Sequence, residues 1–160
     1  MKGFTLVELL VVIGIIVILM TAALVAINPF KQFAMANNAN RWSGVTTMMN
    51  AISQRMVDKK GIFGVCPTGA TVTNCPGTGD TVPTTATNMS NTSGDFDICG
   101  CLVPEYMGAM PFDPQTGNYA SCSSYNTKYT IKCDATTKRI TVCAEDTQVP
   151  PESAKICITR

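Results

Sequence analysis

The chain has 160 residues, of which 46% are hydrophobic, and a formal net charge of +1. This length fits one small domain plus an N-terminal anchor, and a charge so close to zero predicts no specific nucleic acid partner. The chain contains no histidine, which excludes histidine-assisted nucleophiles, histidine-bound zinc and histidine-ligated haem, so we expect no enzyme.

The N-terminal stretch is a candidate membrane span. No residue from Leu9 to Ile27 is charged, and about 20 apolar residues are enough for a helix to cross the bilayer core. Lys2 alone makes a basic region and no small-residue cleavage site follows the span, which disfavours a secretory signal peptide. Glu8 lies near the start of the span, where a lone carboxylate is costly unless it is paired. A plain signal anchor explains the apolar span but leaves Glu8 unexplained.

Residues 3–8, Gly-Phe-Thr-Leu-Val-Glu, followed by the apolar helix, resemble the N-terminus of the type IV pilin and pseudopilin superfamily. The resemblance implies that a prepilin peptidase removes residues 1–3 after Gly3, and that Phe4, the new N-terminus, is N-methylated. It also implies that Glu8 pairs with the free amine of Phe4 in a neighbouring subunit. Opposite charges attract strongly in a low dielectric and each is costly alone, so such a pair favours one register of assembly. The alternative for Glu8 is a carboxylate that reaches the lipid headgroups.

Two helical segments are predicted after the leader. Residues 4–27 form the apolar helix, and residues 28–61 form an amphipathic stem helix, with Asn28 as its cap and Pro29 at its first position. Gly61 ends the stem helix. Apolar side chains three and four positions apart predict the core face of the stem: Trp42, Val45, Met49, Ile52 and Met56.

Residues 62–124 are predicted to form a variable loop region rich in threonine and cysteine. In the pilin resemblance this region lies between the stem helix and the sheet, on the outer surface of a filament. Asn88 and Asn91 each begin an N-glycosylation pattern, which is common by chance. Calcium has only sparse candidate ligands without EF-hand spacing, and we expect no cofactor: Asp113, Asn118 and Asp134.

Residues 125–160 are predicted to form an antiparallel sheet, with a hairpin turn at residues 134–138 and a third strand at residues 154–159. Alternation predicts the inward-facing side chains of the three strands: Tyr129, Ile131, Cys133, Ile140, Val142, Ala144, Ile156 and Ile158. Trp42 and the rest of the stem's core face are predicted to cover this sheet. The fold class is therefore α+β, a long N-terminal helix packed on a small sheet.

All eight cysteines lie beyond residue 65, and we expect them to form disulfides outside the cytoplasm: Cys66, Cys75, Cys99, Cys101, Cys122, Cys133, Cys143 and Cys157. Sequence proximity weakly favours a bond between Cys66 and Cys75, but the pairing as a whole stays open. The alternative is a metal or redox site. Cys99 and Cys101 are the only close pair and no Cys-x-x-Cys occurs, which disfavours a zinc ribbon or a thioredoxin-like site.

Charge is unevenly distributed along the chain. Basic residues dominate residues 28–60, where Asp58 is the only acid, and every charge between residues 61 and 127 is acidic. One interpretation is attraction between a basic stem and an acidic head in stacked subunits. The other is simple solubility.

The sequence thus predicts a structural subunit that polymerises with itself through its N-terminal helix into an extracellular type IV pilus, serving adhesion, motility or DNA uptake. Its expected partners are further copies, the prepilin peptidase, the assembly platform of the inner membrane, and membrane lipid before assembly. It is expected first in the inner membrane and then on the cell surface. The alternatives are a pseudopilin of a type II secretion system and a minor or tip pilin that acts as a binding module.

Overall fold

The computed structural model describes residues 3–60, 82–134, 136–148 and 155–160, apart from the side chains of Ala26 and Ile27. Helices and strands follow in the order α1 (Leu6–Ile27), α2 (Pro29–Asp58), β1 (Thr87–Ser90), α3 (Cys99–Leu102), β2 (Asn118–Ser121), β3 (Ser124–Cys133), β4 (Ile140–Ala144) and β5 (Ile156–Thr159). The chain divides into two compact units, Met1–Ala36 and Asn37–Arg160. The predicted α+β class, a long apolar helix and an antiparallel sheet, is confirmed.

The first unit consists of α1 and the first turns of α2. Residues Leu6–Val25 are long and apolar enough to cross a membrane, and none of them is buried. The helix ends where Asn28 adopts a left-handed backbone (φ 45°), a conformation that asparagine tolerates better than most residues. The backbone N–H of Lys31 donates to the Asn28 carbonyl (3.1 Å) and to its side-chain Oδ1 (3.4 Å). Asn28 therefore caps α2, as predicted, and Pro29 begins it.

The core of the second unit lies between α2 and the sheet. The predicted core positions Val45, Met49 and Ile52 are buried, and Met56 is partly buried. The prediction for Trp42 was wrong, because 55% of this side chain is exposed. Burial starts instead at Arg41, one position and thus about 100° around the helix from Trp42.

Four antiparallel pairings build a sheet in the order β1-β3-β4-β5, with β2 also paired to β3. Alternate side chains of β3 are buried, among them Tyr129, Ile131 and Cys133. In β4 the predicted inward residues Ile140, Val142 and Ala144 are likewise buried, so this part of the prediction is confirmed. Ile156 and Ile158 of β5 are partly buried against the core.

The sheet extends beyond the predicted range of 125–160, because β1 and β2 lie within the stretch predicted as loop. β1 pairs with β3 through Thr87 opposite Ile131 and Asn88 opposite Thr130. Both strands are four residues long and mostly polar, so neither shows the alternation that identifies a strand in a sequence. The long strand β3 supplies their pairing partner.

Candidate functional site

The N-terminus of α1 is a closed capping box formed by Thr5 and Glu8. The Thr5 hydroxyl accepts the backbone N–H of Glu8 (3.3 Å), while Oε2 of Glu8 accepts the Thr5 N–H (2.9 Å) and the Thr5 hydroxyl proton (2.8 Å). This arrangement satisfies amide donors that a helix start otherwise leaves free, and it holds a negative charge at the positive end of the helix dipole. Within the described residues, Oε1 of Glu8 accepts no hydrogen bond.

Gly3 and Phe4 directly precede this box and are accessible. A side chain at Gly3 would meet nothing within 4 Å, and 81% of the Phe4 side chain is exposed. The sequence-predicted cleavage, methylation and assembly residues thus lie together at one exposed helix start. Because both members of the box lie after Phe4, cleavage behind Gly3 leaves its hydrogen bonds intact.

The surface of α1 is apolar on every side. Its large side chains from Leu6 to Val25 are exposed by about half or more. The hydroxyl of Thr21 donates to the carbonyls of Val17 (2.8 Å) and Ile18 (3.0 Å), so the helix satisfies this polar group itself. An apolar surface of this size needs lipid or another protein to cover it.

Arg41 is fully buried and joins α2 to two other segments of the second unit. Its Nε and Nη2 donate to the Asp113 carboxylate (2.5 and 3.3 Å), its Nη1 to Asn38 (2.9 Å), and its remaining contacts are to Gln115 and Gln148. Burial acts to raise the pKa of Asp113, but hydrogen bonds from Arg41 and from the backbone of Gln115 and Thr116 lower the pKa below its usual range. The pair fixes the 111–117 segment against the helix.

Arg55 is the second buried arginine of α2. Its Nη1 donates to the Cys101 carbonyl (2.7 Å) and lies 3.9 Å from the Glu105 carboxylate, while its guanidinium carbon is 5.8 Å from the centre of the Tyr106 ring. This contact attaches the segment after α3 to the helix. Neither arginine was predicted to be buried, although positions 41, 45, 48, 52 and 55 recur at the spacing of one buried helix face.

These contacts bear on two expectations from the sequence. Asp113, a candidate calcium ligand, is paired with Arg41, and the Asp134 carboxylate accepts the backbone N–H groups of Thr136 and Thr137 in the β3–β4 turn. Across the described residues, no cluster of three acidic or cysteine side chains suited to a metal occurs. The basic stem and acidic head attract each other within one subunit, through Arg41 and Arg55, and this use of the charges was not predicted.

Two disulfides are defined in the second unit. Cys99 pairs with Cys122, and Cys143 with Cys157, which lie opposite each other on β4 and β5. Cys101 and Cys133 are also disulfide-bonded. Cys66 and Cys75, with the pairing suggested for them, lie outside the described residues. No cysteine in the described part of the chain is a free thiol, so none offers the reactive thiolate of a redox enzyme.

The asparagines of both glycosylation patterns form hydrogen bonds within the second unit. The Asn88 amide donates to Asp95 (2.7 Å) and Asn126 (3.1 Å), and the Asn91 amide donates to the Ser123 carbonyl (2.5 Å). A glycan on either nitrogen removes a donor from these contacts. The structure therefore gives both asparagines a structural role.

Residues 1–24 match the family model of the prokaryotic N-terminal methylation motif. This motif is the prepilin-type signature of type IV pilins and pseudopilins, which confirms the resemblance seen at residues 3–8. The match ends within α1 and does not reach the second unit. Comparisons with curated proteins and with solved structures gave no match.

Proposed function

We propose that this chain is a pilin that is cleaved after Gly3, methylated at Phe4 and polymerised through α1 into an extracellular type IV pilus. The observation that carries the proposal is the methylation motif at residues 1–24, which includes most of a helix whose apolar surface is uncovered on all sides in the described part of the chain. Residues 1–3 are then the leader, and residues 4–27 the part of the chain that exchanges lipid for neighbouring subunits.

The helix α1 needs an apolar environment both in the membrane and in the filament. Apolar surface removed from water contributes about 25 cal/mol per Å², so α1 needs a cover both before and after assembly. In the membrane precursor, lipid provides that cover. In the filament, the α1 helices of other copies replace lipid. The partners are accordingly the prepilin peptidase, the assembly platform of the inner membrane and further copies of this chain.

Glu8 is proposed to select the register of assembly. Its Oε2 is held by Thr5, while Oε1 remains available, within the described structure, for an incoming donor. The methylated amine of Phe4 in an adjacent subunit is a donor with the opposite charge. Leaving either charge alone in an apolar filament core is costly, which favours the one stagger that brings them together.

Replacing Glu8 separates this pairing from helix capping. We expect Glu8→Ala to enter the membrane normally but to yield at least tenfold fewer sheared filaments, since it removes both the charge and the cap. Glu8→Gln is the matched control, because glutamine also closes a capping box but carries no charge. Filament yield is measured by shearing cells and quantifying the released subunit against the membrane pool.

The two variants give distinct outcomes. Loss of filaments in both supports a charge pair with Phe4. Normal filaments from Glu8→Gln would limit Glu8 to capping, and normal filaments from both variants would remove it from assembly.

A pseudopilin of a type II secretion system and a minor or tip pilin share the same N-terminal motif. We favour the pilus because the long threonine-rich stretch before the sheet suits the exposed surface of a fibre. A major pilin makes up the bulk of the mass of long surface fibres, whereas a pseudopilin or a tip subunit does not. Quantitative mass spectrometry of purified fibres distinguishes these roles.

A further inference from the structure

The first turns of α2, which belong to the first unit, carry an aromatic surface that the described residues leave uncovered. Phe30 is 84% exposed and Phe33 is 70% exposed. Three positions apart on a helix, the two rings lie about 60° from each other around its axis. Lys31 and Gln32, both exposed, point away from this aromatic side. The start of α2 is therefore amphipathic, with an aromatic side that water covers poorly.

This surface follows directly on the candidate membrane span. Leu6–Val25 contains 20 residues, which as a helix are about 30 Å long, the thickness of the bilayer core. Phe30 and Phe33 come five and eight residues later, at most about 7.5 and 12 Å further along. The headgroup region adds about 5–8 Å on each side of the core. Helical side chains tilt towards the N-terminus of their helix, so both rings reach back towards the bilayer.

The break at Asn28 separates the direction of α2 from that of α1. Asn28 has a left-handed backbone (φ 45°), a conformation that commonly ends a helix. Its carbonyl accepts the backbone N–H groups of Lys31 (3.1 Å) and Gln32 (3.4 Å), which begins a new helix. The start of α2 is thus free of the axis of α1, and an inclined start keeps Phe33 close to the bilayer surface.

The charges of this segment suit a phospholipid surface. Lys31 is the only charged residue between Glu8 and Arg41. At a membrane surface, a lysine keeps its alkyl stem on apolar groups and extends its ammonium to the phosphates. Phenylalanine on one side and lysine on the other is the composition of helices that bind in the headgroup region. No carboxylate within this segment repels the phosphates.

We propose that Phe30 and Phe33 anchor α1 in the phospholipid headgroup region on the exported side of the membrane. Both rings lie at the boundary between headgroups and acyl chains, and the Lys31 ammonium lies at the phosphates. The proposal commits to lipid because the segment continues a span that lipid already covers, and it rests on the membrane precursor of the proposed function. Anchoring one end of α1 also fixes the depth of the cleavage site at its other end.

Photolabelling tests the proposal on the full chain, with one copy in each phosphatidylcholine nanodisc so that no second copy covers the segment. Two probes are compared, phosphatidylcholine with a diazirine beside the glycerol and phosphatidylcholine with a diazirine at the end of an acyl chain. Mass spectrometry locates the labelled residues. We expect the shallow probe to label residues 28–36 and the deep probe to label the middle of α1.

Two variants show whether the aromatic side is responsible. Phe30→Ser with Phe33→Ser should lower the shallow labelling of residues 28–36 at least about threefold, because the side that enters the acyl boundary is then polar. The matched control is Met35→Ser, which removes a half-exposed apolar side chain about 160° around the helix from Phe33. This control should label as the wild type does. Both variants should keep the wild-type melting temperature, since none of the three side chains is buried.

The two probes separate failure of this anchor from failure of the proposed function. Absence of shallow labels from residues 28–36, or unchanged labelling of the Phe30 and Phe33 variant, overturns the anchor, while deep labels in α1 still support the membrane span. Absence of deep labels from α1 removes the membrane precursor and the anchor together.

Discussion

Arg41 and Asp113 form an ion pair in the second unit, and both side chains are buried. Removing one member of a buried ion pair leaves an uncompensated charge, which typically costs about 3–5 kcal/mol. Arg41 makes five hydrogen bonds to four side chains, which come from the helix and from loops that are distant in sequence. Buried pairs of this kind are weak evidence for net stability but strong evidence for which segments must meet.

We expect Arg41→Met to lower the free energy of unfolding by about 3–5 kcal/mol, because the Asp113 carboxylate then stays buried without its cation. Denaturant unfolding of the full chain in nanodiscs, followed by near-ultraviolet circular dichroism, measures the change. The double variant Arg41→Met with Asp113→Asn removes both charges and keeps a side-chain acceptor for the turn amides. It should be more stable than Arg41→Met alone, and an equal or larger loss would contradict the pairing energy.

The same pair predicts a dependence of stability on pH. The folded protein lowers the pKa of Asp113 below its ordinary value of 3.8, so the unfolded chain takes up a proton first as the pH falls. The stabilisation is therefore complete well above pH 3.8 and is lost as the pH falls through the folded-state pKa. Unfolding free energies of the wild type and of Asp113→Asn, measured from pH 6 downwards, should converge. A difference that stays constant down to the lowest pH would contradict this assignment.

At the scale of elements, α2 lies close against the sheet at Gly44. A Cβ at this position would lie 2.9 Å from the Tyr129 hydroxyl oxygen, 3.1 Å from its ring and 3.4 Å from Pro111. Tyr129 is fully buried and donates its hydroxyl to the Phe112 carbonyl (3.1 Å), so it has little room to move. The helix and the sheet approach each other there because glycine has no side chain.

We expect Gly44→Ala to destabilise the second unit by about 1–3 kcal/mol, since overpacking outweighs the gain in helix propensity. Gly108→Ala is the control, because a side chain at Gly108 meets nothing within 4 Å and should change stability by less than about 1 kcal/mol. Thermal unfolding of both variants provides the comparison. Equal melting temperatures of the two variants would contradict this prediction, because they would show that the helix and the sheet accommodate a methyl group at position 44 without loss of stability.

Local patterns in the sequence predicted some elements of this fold and failed for others. The alternation of β3 and β4 and the cap at Asn28 were predictable, because each depends on neighbouring residues. The exposure of Trp42 was not predictable, since periodicity alone does not show whether the buried face of α2 begins at Arg41 or at Trp42. The pairing of Arg41 with Asp113 joins residues 72 positions apart, a separation at which a single sequence carries no signal.

The candidate site also combines features that the sequence indicates with features that it does not. The sequence indicated the motif at residues 3–8 because its residues are contiguous, while cleavage after Gly3, methylation of Phe4 and assembly through Glu8 stay predictions. The capping contacts between Thr5 and Glu8 follow from a spacing of three residues that the sequence also contains.

At the scale of the whole molecule, the two units differ in composition and in packing. The first unit contains the methylation motif and an apolar helix that lacks a protein cover among the described residues. The second unit has its own core, its own buried ion pair between Arg41 and Asp113, and its own disulfides. The prepilin-type motif thus lies in the first unit, and the disulfide-bonded core lies in the second.

The most direct test of this account is the intact mass and the N-terminal sequence of protein sheared from cell surfaces. We predict a chain that lacks residues 1–3 and begins with methylated Phe4. Its mass should be lower than that of the thiol form by the hydrogens lost when every cysteine forms a disulfide. Such a chain establishes leader cleavage, export and oxidation in one measurement. A chain that still begins at Met1 and is found only in membranes would contradict the account, because an uncleaved anchor has no free Phe4 amine for assembly.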